Sequence, residues 1–330
     1  MAAMQSDKTA DPTPPRGNRL SIVVPVFNDG ANMAALMARL APVLEATGMA
    51  WEVVTVNDGS ADDTLARLLA LRAREPRLVV VDLSRNFGKE RALSAGLAHA
   101  KGDAVVMIDA DLQHPPETIP ALLARWREGF EVVYAVREQR TDQSWFPRLL
   151  SRSFYAVFDR LSEVPVPRGA GDFRLLDRQV VDVINRMPER TRFMKGIYSW
   201  VGFRQTGVPY REETRHEGAT KWPLLGLMRL AVDGLTAFST FPLRVWTVVG
   251  AVISGLAFLY IVIRLLRVLV YGIAVPGYES IVVIVLFLGG IQLLTLGIIG
   301  DYVGRIFSEV KGRPLYVVRR TYGTGEPSAS

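Results

Sequence analysis

Two carboxylates and an amide stand at alternate positions, Asp109, Asp111 and Gln113, directly after the apolar run Val105-Val106-Met107-Ile108. The run has the β-branched content of a strand buried on both faces, and Pro115-Pro116 forbids its continuation. Hard oxygen donors at the carboxyl end of a strand suit Mg²⁺ or Mn²⁺, and an ion held there can bridge to a diphosphate. An isolated Asp-x-Asp is also a common turn or helix cap, because Asp side chains bond neighbouring backbone. A second set of charges, Arg215 and Lys221, lies in the polar, aperiodic stretch 211–221, expected to be a mobile loop that closes over a phosphate. A third lies in Ser144 to Leu161, where Arg148, Arg152 and Arg160 alternate with Trp145, Phe146, Leu149, Leu150 and Phe154. That pattern fits either a core helix with a charged outer face or a basic amphipathic helix lying at a membrane surface.

The acids need a frame. From Leu20 to Val26 the chain predicts an apolar strand, ended by Phe27-Asn28-Asp29-Gly30, then a helix with Met33, Leu36, Met37, Leu40 and Leu44 on one face. A second strand, Trp51 to Val56, ends in Asn57-Asp58-Gly59-Ser60. Asp62 and Asp63 follow in the first turn of a helix through Leu65, Leu68, Leu69 and Leu71, where the helix dipole favours acids. A third, Leu78 to Leu83, leads into Ser84-Arg85-Asn86-Phe87-Gly88-Lys89 and a helix to about Ala100. With the run before Asp109 as the fourth, the alternation implies a largely parallel, doubly wound sheet with its polar loops on one edge. An edge strand from Glu131 to Val136 leads to Arg137. A helix to about Met187 and a strand-like Val201 to Tyr210 close the domain. No Gly-x-Gly-x-x-Gly follows the first strand and there is no Walker A sequence, so dinucleotide and P-loop readings lack their phosphate loops.

Of the 330 residues 49% are hydrophobic and mean hydropathy is +0.18, which calls for a membrane part. Two runs, Val245 to Ile263 and Ile281 to Ile299, approach the ~20 residues that span a bilayer as a helix. Cysteine is absent, which rules out disulfides and Cys-ligated metals. The net charge of +6 points to anionic partners, with nucleic acid, phospholipid and phosphate-bearing substrates all open at this level. Residues 1–19 lack the apolar core of a signal peptide and read as a disordered leader, and the tail after Arg320 reads as disordered too.

Val24-Pro25-Val26-Phe27-Asn28, Val56-Asn57-Asp58-Gly59-Ser60, Ser84 to Lys89, Asp109 to Gln113, Asp172-Phe173-Arg174 and Arg215 to Lys221 together resemble, in order, the family 2 GT-A glycosyltransferases. The likeness is to the polyprenyl-phosphate branch, which includes dolichyl-phosphate mannose synthase and bactoprenol glucosyltransferases, and it spans roughly residues 20–312. It implies an α/β GT-A, Rossmann-like, mostly parallel sheet with helices on both faces, followed by amphipathic interface helices and two transmembrane helices. In residue terms the catalytic domain is 20–221 with an interface helix at 144–161. A second interface helix covers 222–241, a transmembrane hairpin 242–304 and a cytoplasmic tail 305–330. The implied activity is inverting transfer of a sugar from a nucleotide diphosphate to the phosphate of a lipid such as undecaprenyl phosphate.

Carried over by residue, Pro25, Asn28 and Asp58 hold the nucleotide, with Lys89 and Asp109 facing the donor. Asp109, Asp111 and Gln113 address Mg²⁺ or Mn²⁺. Arg215 and Lys221 grip the donor diphosphate, and Arg137, Arg148, Ser151 and Arg152 meet the acceptor phosphate. The implied partners are donor, polyprenyl phosphate and membrane, with no nucleic acid. Gly300 and Gly304 leave room for helix packing into a homo-oligomer. His114 stands where many relatives carry Asp, and Ala219-Thr220 replaces the commoner Glu-Ser.

The chemistry agrees. A lipid phosphate is anionic near neutrality, so its oxygen attacks the anomeric carbon without a strong base, and the main task is to stabilise the leaving diphosphate. His114, beside two prolines, is therefore read as a turn or supporting residue rather than a base. Two alternatives differ in kind. A processive polysaccharide synthase would resemble chains with more spans and a Gln-x-x-Arg-Trp motif, absent here, and a non-catalytic nucleotide-sugar binder would have no use for intact acids at Asp109 and Asp111. Arg244 before the first span, with Arg305, Lys311 and Arg313 after the second, places both flanks in the cytoplasm, on the inner face of a multi-pass protein of the cell membrane.

Overall fold

The computed structural model describes residues 17–137, 170–211 apart from 188, 191 and 193, single positions between 252 and 270, and 277–323. The expected site residues Arg148, Ser151, Arg152, Arg215 and Lys221 and the expected interface segments 144–161 and 222–241 lie outside the described residues.

The alternation of elements follows the apolar pattern. Strands β1 (Arg19–Val26), β2 (Ala50–Asn57), β3 (Leu78–Leu83) and β4 (Ala104–Met107) are separated by helices α1 (Gly30–Ala46), α2 (Thr64–Arg74) and α3 (Lys89–His99). A 3₁₀ turn (Pro116–Thr118) opens α4 (Ile119–Arg127), ahead of β5 (Val132–Arg137). Then come β6 (Ala170–Asp177), α5 (Arg178–Arg186), α6 (Met194–Trp200) and β7 (Gln205–Tyr210). The sheet order is β7-β5-β6-β4-β1-β2-β3-β8, where β8 is Val318–Tyr322. β1, β2, β3 and β4 are mutually parallel, as is the β5–β7 pair, whereas β6 and β8 run antiparallel to their neighbours.

Side-chain alternation divides the sheet between two layers of helix. Leu20, Ile22, Val24 and Val26 of β1 join Met33, Leu36, Leu40 and Leu44 of α1, Leu68 of α2 and Leu122, Leu123 and Trp126 of α4 in one buried core. On the other face α3 lies close enough to β1 that a Cβ at Gly96 would stand 2.2 Å from Val23 Cγ1. The chain winds outward from β1 through β2 and β3, then returns to β4 on the other side of β1. The loops after β1 and β4 therefore diverge at a switch point, the usual place for a ligand in an open α/β sheet.

Three expectations change. β5 is no edge strand: it lies between β6 and β7, because β6 inserts antiparallel between it and β4. The seventh strand begins at Gln205 rather than Val201, whose amide still bonds Ile197 O at the end of α6. Thr321 and Tyr322, assigned to a structureless tail, are strand residues paired with Val81 and Val80 of β3.

The chain divides into two compact units, this domain together with 314–323 and a second that includes 277–313. Within the second unit α7 runs from Tyr278 to Val310, further than the expected Ile281 to Ile299, because Val303, Ile306, Phe307 and Val310 continue the apolar pattern up to Gly312 at φ +66°. At about 1.5 Å per residue its 33 residues reach about 50 Å. Its stretch Phe287–Val310 is long and apolar enough to cross a membrane, the one such helix among the described residues. The described positions of the first apolar run are helical.

Candidate active site

The polar ends of β1, β2 and β3 are bound to one another by their own side chains. Asn28, in the left-handed region at φ +49°, receives a bond at its Oδ1 from the Ala61 amide (2.9 Å) and donates its own amide to Ser60 Oγ (3.0 Å). Asn57 Nδ2 donates to Asp82 Oδ1 at 2.7 Å. Asp58 is 3% exposed and accepts from the amides of Phe87 (2.7 Å) and Gly88 (2.9 Å). Burial pushes its carboxyl up, against the pull of those two amides and of Arg85 and Arg91. Asp58 thus pins the β3–α3 loop that delivers Lys89. The close approach also explains Gly59, at φ +63°, where a Cβ would stand 2.2 Å from the Arg85 carbonyl carbon.

Strand register brings the acids together. β4 pairs antiparallel with β6, Met107 opposite Arg174, and extending that register by two residues sets Asp109 opposite Asp172. Lys89, first residue of α3, fills the space between them: its Nζ is 2.7 Å from Asp109 Oδ1, 2.8 Å from Oδ2 and 2.9 Å from Asp172 Oδ2. Burial disfavours the ammonium, but the two carboxylates outweigh it and raise its pKa. Asp172 is the mirror case, burial pushing it up while Lys89 and Lys195 hold it below the usual carboxylate range.

Beyond Asp109 the chain turns sharply. Leu112 takes φ +62° and is 3% exposed, so a buried side chain holds a conformation that costs a non-glycine residue about 1–2 kcal/mol. In that turn Asp111 Oδ1 accepts from the Gln113 amide (3.2 Å), and His114 packs against Phe173. Asp109, Asp111 and His114 each offer a ligand atom within 4.8 Å of one another. His114 Nδ1 lies 3.8 Å from Asp109 Oδ2 and is buried without a hydrogen-bond partner. Such an orphaned nitrogen beside two carboxylates fits a divalent cation.

Behind the acids lies a charged layer that sequence reasoning assigned no role. Glu90, next to Lys89, accepts from the Met194 amide at 3.1 Å, and burial with the neighbouring Asp172 charge pushes its carboxyl up to about 7. Arg174 is 3% exposed, with its guanidinium 3.9 Å above the Tyr198 ring. The alternation Asp172-Phe173-Arg174-Leu175 was the available signal: period two predicts a strand whose charged members share one face. Pro25 sits at the end of β1, opposite Val56. Arg137 ends β5, exposed, three residues beyond Tyr134, which pairs with Arg174.

The chain matches the model for glycosyl transferase family 2 over residues 21–184. It is 48% identical over 304 residues to an uncharacterized glycosyltransferase, sll0501, of Synechocystis sp., covering 92% of this chain and 96% of that one. It is 42% identical to the bactoprenol glucosyl transferase of Shigella phage SfII, covering 92% of this chain and 98% of that protein. The prophage bactoprenol glucosyl transferase homolog of Escherichia coli K12 is 43% identical, over 92% of this chain and 99% of its own. These likenesses over nearly the whole length establish a glycosyltransferase: the chain belongs to glycosyl transferase family 2.

Proposed function

We propose that this enzyme transfers a sugar from a nucleotide diphosphate to the phosphate of a polyprenyl lipid such as undecaprenyl phosphate, with inversion, for assembly or modification of cell-envelope glycans. The observation that carries the reading is the joint one at the strand ends, Asp109 and Asp172 sharing Lys89 beside the Asp111 turn, in a chain collinear with relatives named for bactoprenol. The exposed apolar stretch Phe287–Val310 supports a lipid acceptor.

Pro25, Asn28 and Asp58 form the nucleotide end, Asp58 by pinning the Phe87-Gly88 loop. Asp109, Asp111 and Gln113 hold Mg²⁺ or Mn²⁺, which when bound supplies positive charge to the leaving diphosphate. Lys89 bridges Asp109 and Asp172 and, with Lys195, holds Asp172 below the usual carboxylate range. Arg215 and Lys221 close on the donor, and Arg137, Arg148, Ser151 and Arg152 receive the acceptor phosphate, whose oxygen attacks the anomeric carbon as the bond to the diphosphate breaks. The catalytic domain 20–221 faces the cytoplasm, the segments 144–161 and 222–241 lie at the bilayer surface, and 242–304 forms a hairpin in the inner membrane.

Purified enzyme given undecaprenyl phosphate and a panel of radiolabelled UDP- and GDP-sugars should move label from one donor into the organic phase. No organic-phase label from any donor would refute the reading. Topology is tested separately: Ser280→Cys should react with an impermeant maleimide in intact cells, and Ser328→Cys only after permeabilisation. Labelling of both in intact cells, or of neither, would refute the hairpin.

A further inference from the structure

We propose that His114 is a nitrogen ligand of the divalent cation at Asp109 and Asp111, and that this nitrogen turns the site toward Mn²⁺ and away from Mg²⁺. The proposal rests on the metal-dependent reading of that loop.

The chain contains three histidines. His99 shows what a structural one does here: its Nδ1 lies 2.8 Å from Ala95 O, one turn back on its own helix. His114 does the opposite. Its Nδ1 is buried yet meets no hydrogen-bond partner, and its neighbour is a carboxylate oxygen 3.8 Å away, too far for a hydrogen bond. The ring is held in place. Phe173 stacks on it at 5.1 Å with planes 30° apart, and Tyr210 meets it edge-on at 5.8 Å. Phe173 is wholly buried and Tyr210 nearly so, and the two pack on each other, so the imidazole cannot swing away to find another partner. A ring clamped with an unpartnered nitrogen beside Asp109, and grouped with Asp111, is arranged as a ligand is.

The distances allow it. Two donors each ~2.1 Å from an octahedral ion lie ~3 Å apart when adjacent and ~4.2 Å apart when opposite. The 3.8 Å between Nδ1 and Asp109 Oδ2 falls between these, and the 4.8 Å limit of the trio needs only small rotations. Lys89 does not bar the ion. Asp172 holds the ammonium at 2.9 Å, so Asp109 can turn one oxygen to the metal while Lys89 keeps a carboxylate. Selectivity follows from donor type. Mg²⁺ demands oxygen and sheds water reluctantly, whereas Mn²⁺, in the transition series, accepts imidazole more readily.

The test is pulsed electron paramagnetic resonance of Mn²⁺ bound to the purified full-length enzyme in detergent, with UDP and with GDP in turn, using protein grown with and without ¹⁵N-histidine. Wild type should show a nitrogen modulation that shifts with the isotope. His114→Asp should bind Mn²⁺ without it, His216→Gln should keep it, and the ratio of Mn²⁺ to Mg²⁺ affinity should fall roughly tenfold in His114→Asp. Mn²⁺ bound to wild type with no histidine modulation, or a modulation that survives in His114→Asp, overturns the assignment and leaves the Asp109–Asp111 site standing. Failure of wild type to bind Mn²⁺ with UDP and with GDP alike removes the metal site itself, and this ligand with it.

Discussion

The loops after β2 and β3 open on the same edge of the sheet as the loop after β4 and its partner residues on β6, but the two sides are finished differently. On the first, Asp58 spends both oxygens on backbone amides, Asn28 braces Ser60 and Ala61, and Asn57 is bonded to Asp82. On the second, one ammonium serves two acids, and His114 Nδ1, Asp172 Oδ1 and Arg174 Nε are buried without hydrogen-bond partners. Buried polar groups are ordinarily paired, since an unmade bond costs about 1–3 kcal/mol. The first side is therefore completed by the polypeptide and acts as scaffold, while on the proposed function the second is completed by what binds there.

The sharpest break of that contrast is Asp111→Asn, which keeps the shape of the turn and removes the charge. Turnover with Mg²⁺ or Mn²⁺ should fall roughly 10²–10³-fold while the circular dichroism spectrum is unchanged. Near-wild-type turnover with the metal still required would move Asp111 to the scaffold side.

Next comes Lys89→Met, which leaves Asp109 and Asp172 facing each other with Glu90 close by. kcat/KM should fall roughly 10- to 100-fold. Asp172 is held low by Lys89 and Lys195, so losing one cation raises its pKa, and the acid limb of the pH–rate profile should move to higher pH. An unmoved limb would show that Lys195 and Arg174 suffice.

Glu90→Gln probes the layer behind. Glu90 rises from its ordinary 4.5 to about 7 in the folded chain, so the fold binds this proton more tightly than the unfolded chain does. Its contribution is present at low pH and is lost as pH rises from 4.5 towards 7, by at most about 3 kcal/mol. Wild type should lose stability over that window, as read from denaturation midpoints, and Glu90→Gln should flatten the slope. Equal slopes would mean that Glu90 is more hydrated than its contacts indicate.

The legible parts of this molecule are those with local causes. β1 to β4 are parallel and covered on both faces, so they appear as largely apolar runs, and Asn28, Asp58 and Asp109 stand within two residues of the ends of β1, β2 and β4. The Met33-Leu36-Leu40-Leu44 stripe is buried as its spacing requires. What stayed hidden depends on distant partners. Val318–Tyr322 carries two arginines and no clear alternation, and becomes a strand because β3 offers it an edge. The meeting of Asp109 with Asp172 is a consequence of β4–β6 register, and register leaves no mark in either segment alone. For the same reason the burial of Arg174 and the partial burial of Glu90 are invisible in a sequence where each looks like a surface charge.

The smallest effect belongs to Arg39→Ala, and it tests whether the Asp109–His114 turn is held from outside. Arg39 of α1 grips Glu117 with two bonds, Nε to Oε1 at 3.1 Å and Nη2 to Oε2 at 2.7 Å, just past Pro115-Pro116. The pair is partly exposed, 32% for the arginine and 53% for the glutamate, so water and salt screen it and its worth is below about 1 kcal/mol despite the two-pronged geometry. The turn has stronger supports of its own: Leu112 is inserted in the core, and the His114 ring is packed between Phe173 and Tyr210. Arg39→Ala should therefore lower stability by less than about 1 kcal/mol, an effect that fades in high salt, and should leave Mn²⁺ affinity within about twofold of wild type. A larger loss of metal affinity, removed by no change of salt, would mean that the turn takes its shape from α1, and the ligand side would then be as much scaffold as the loops opposite.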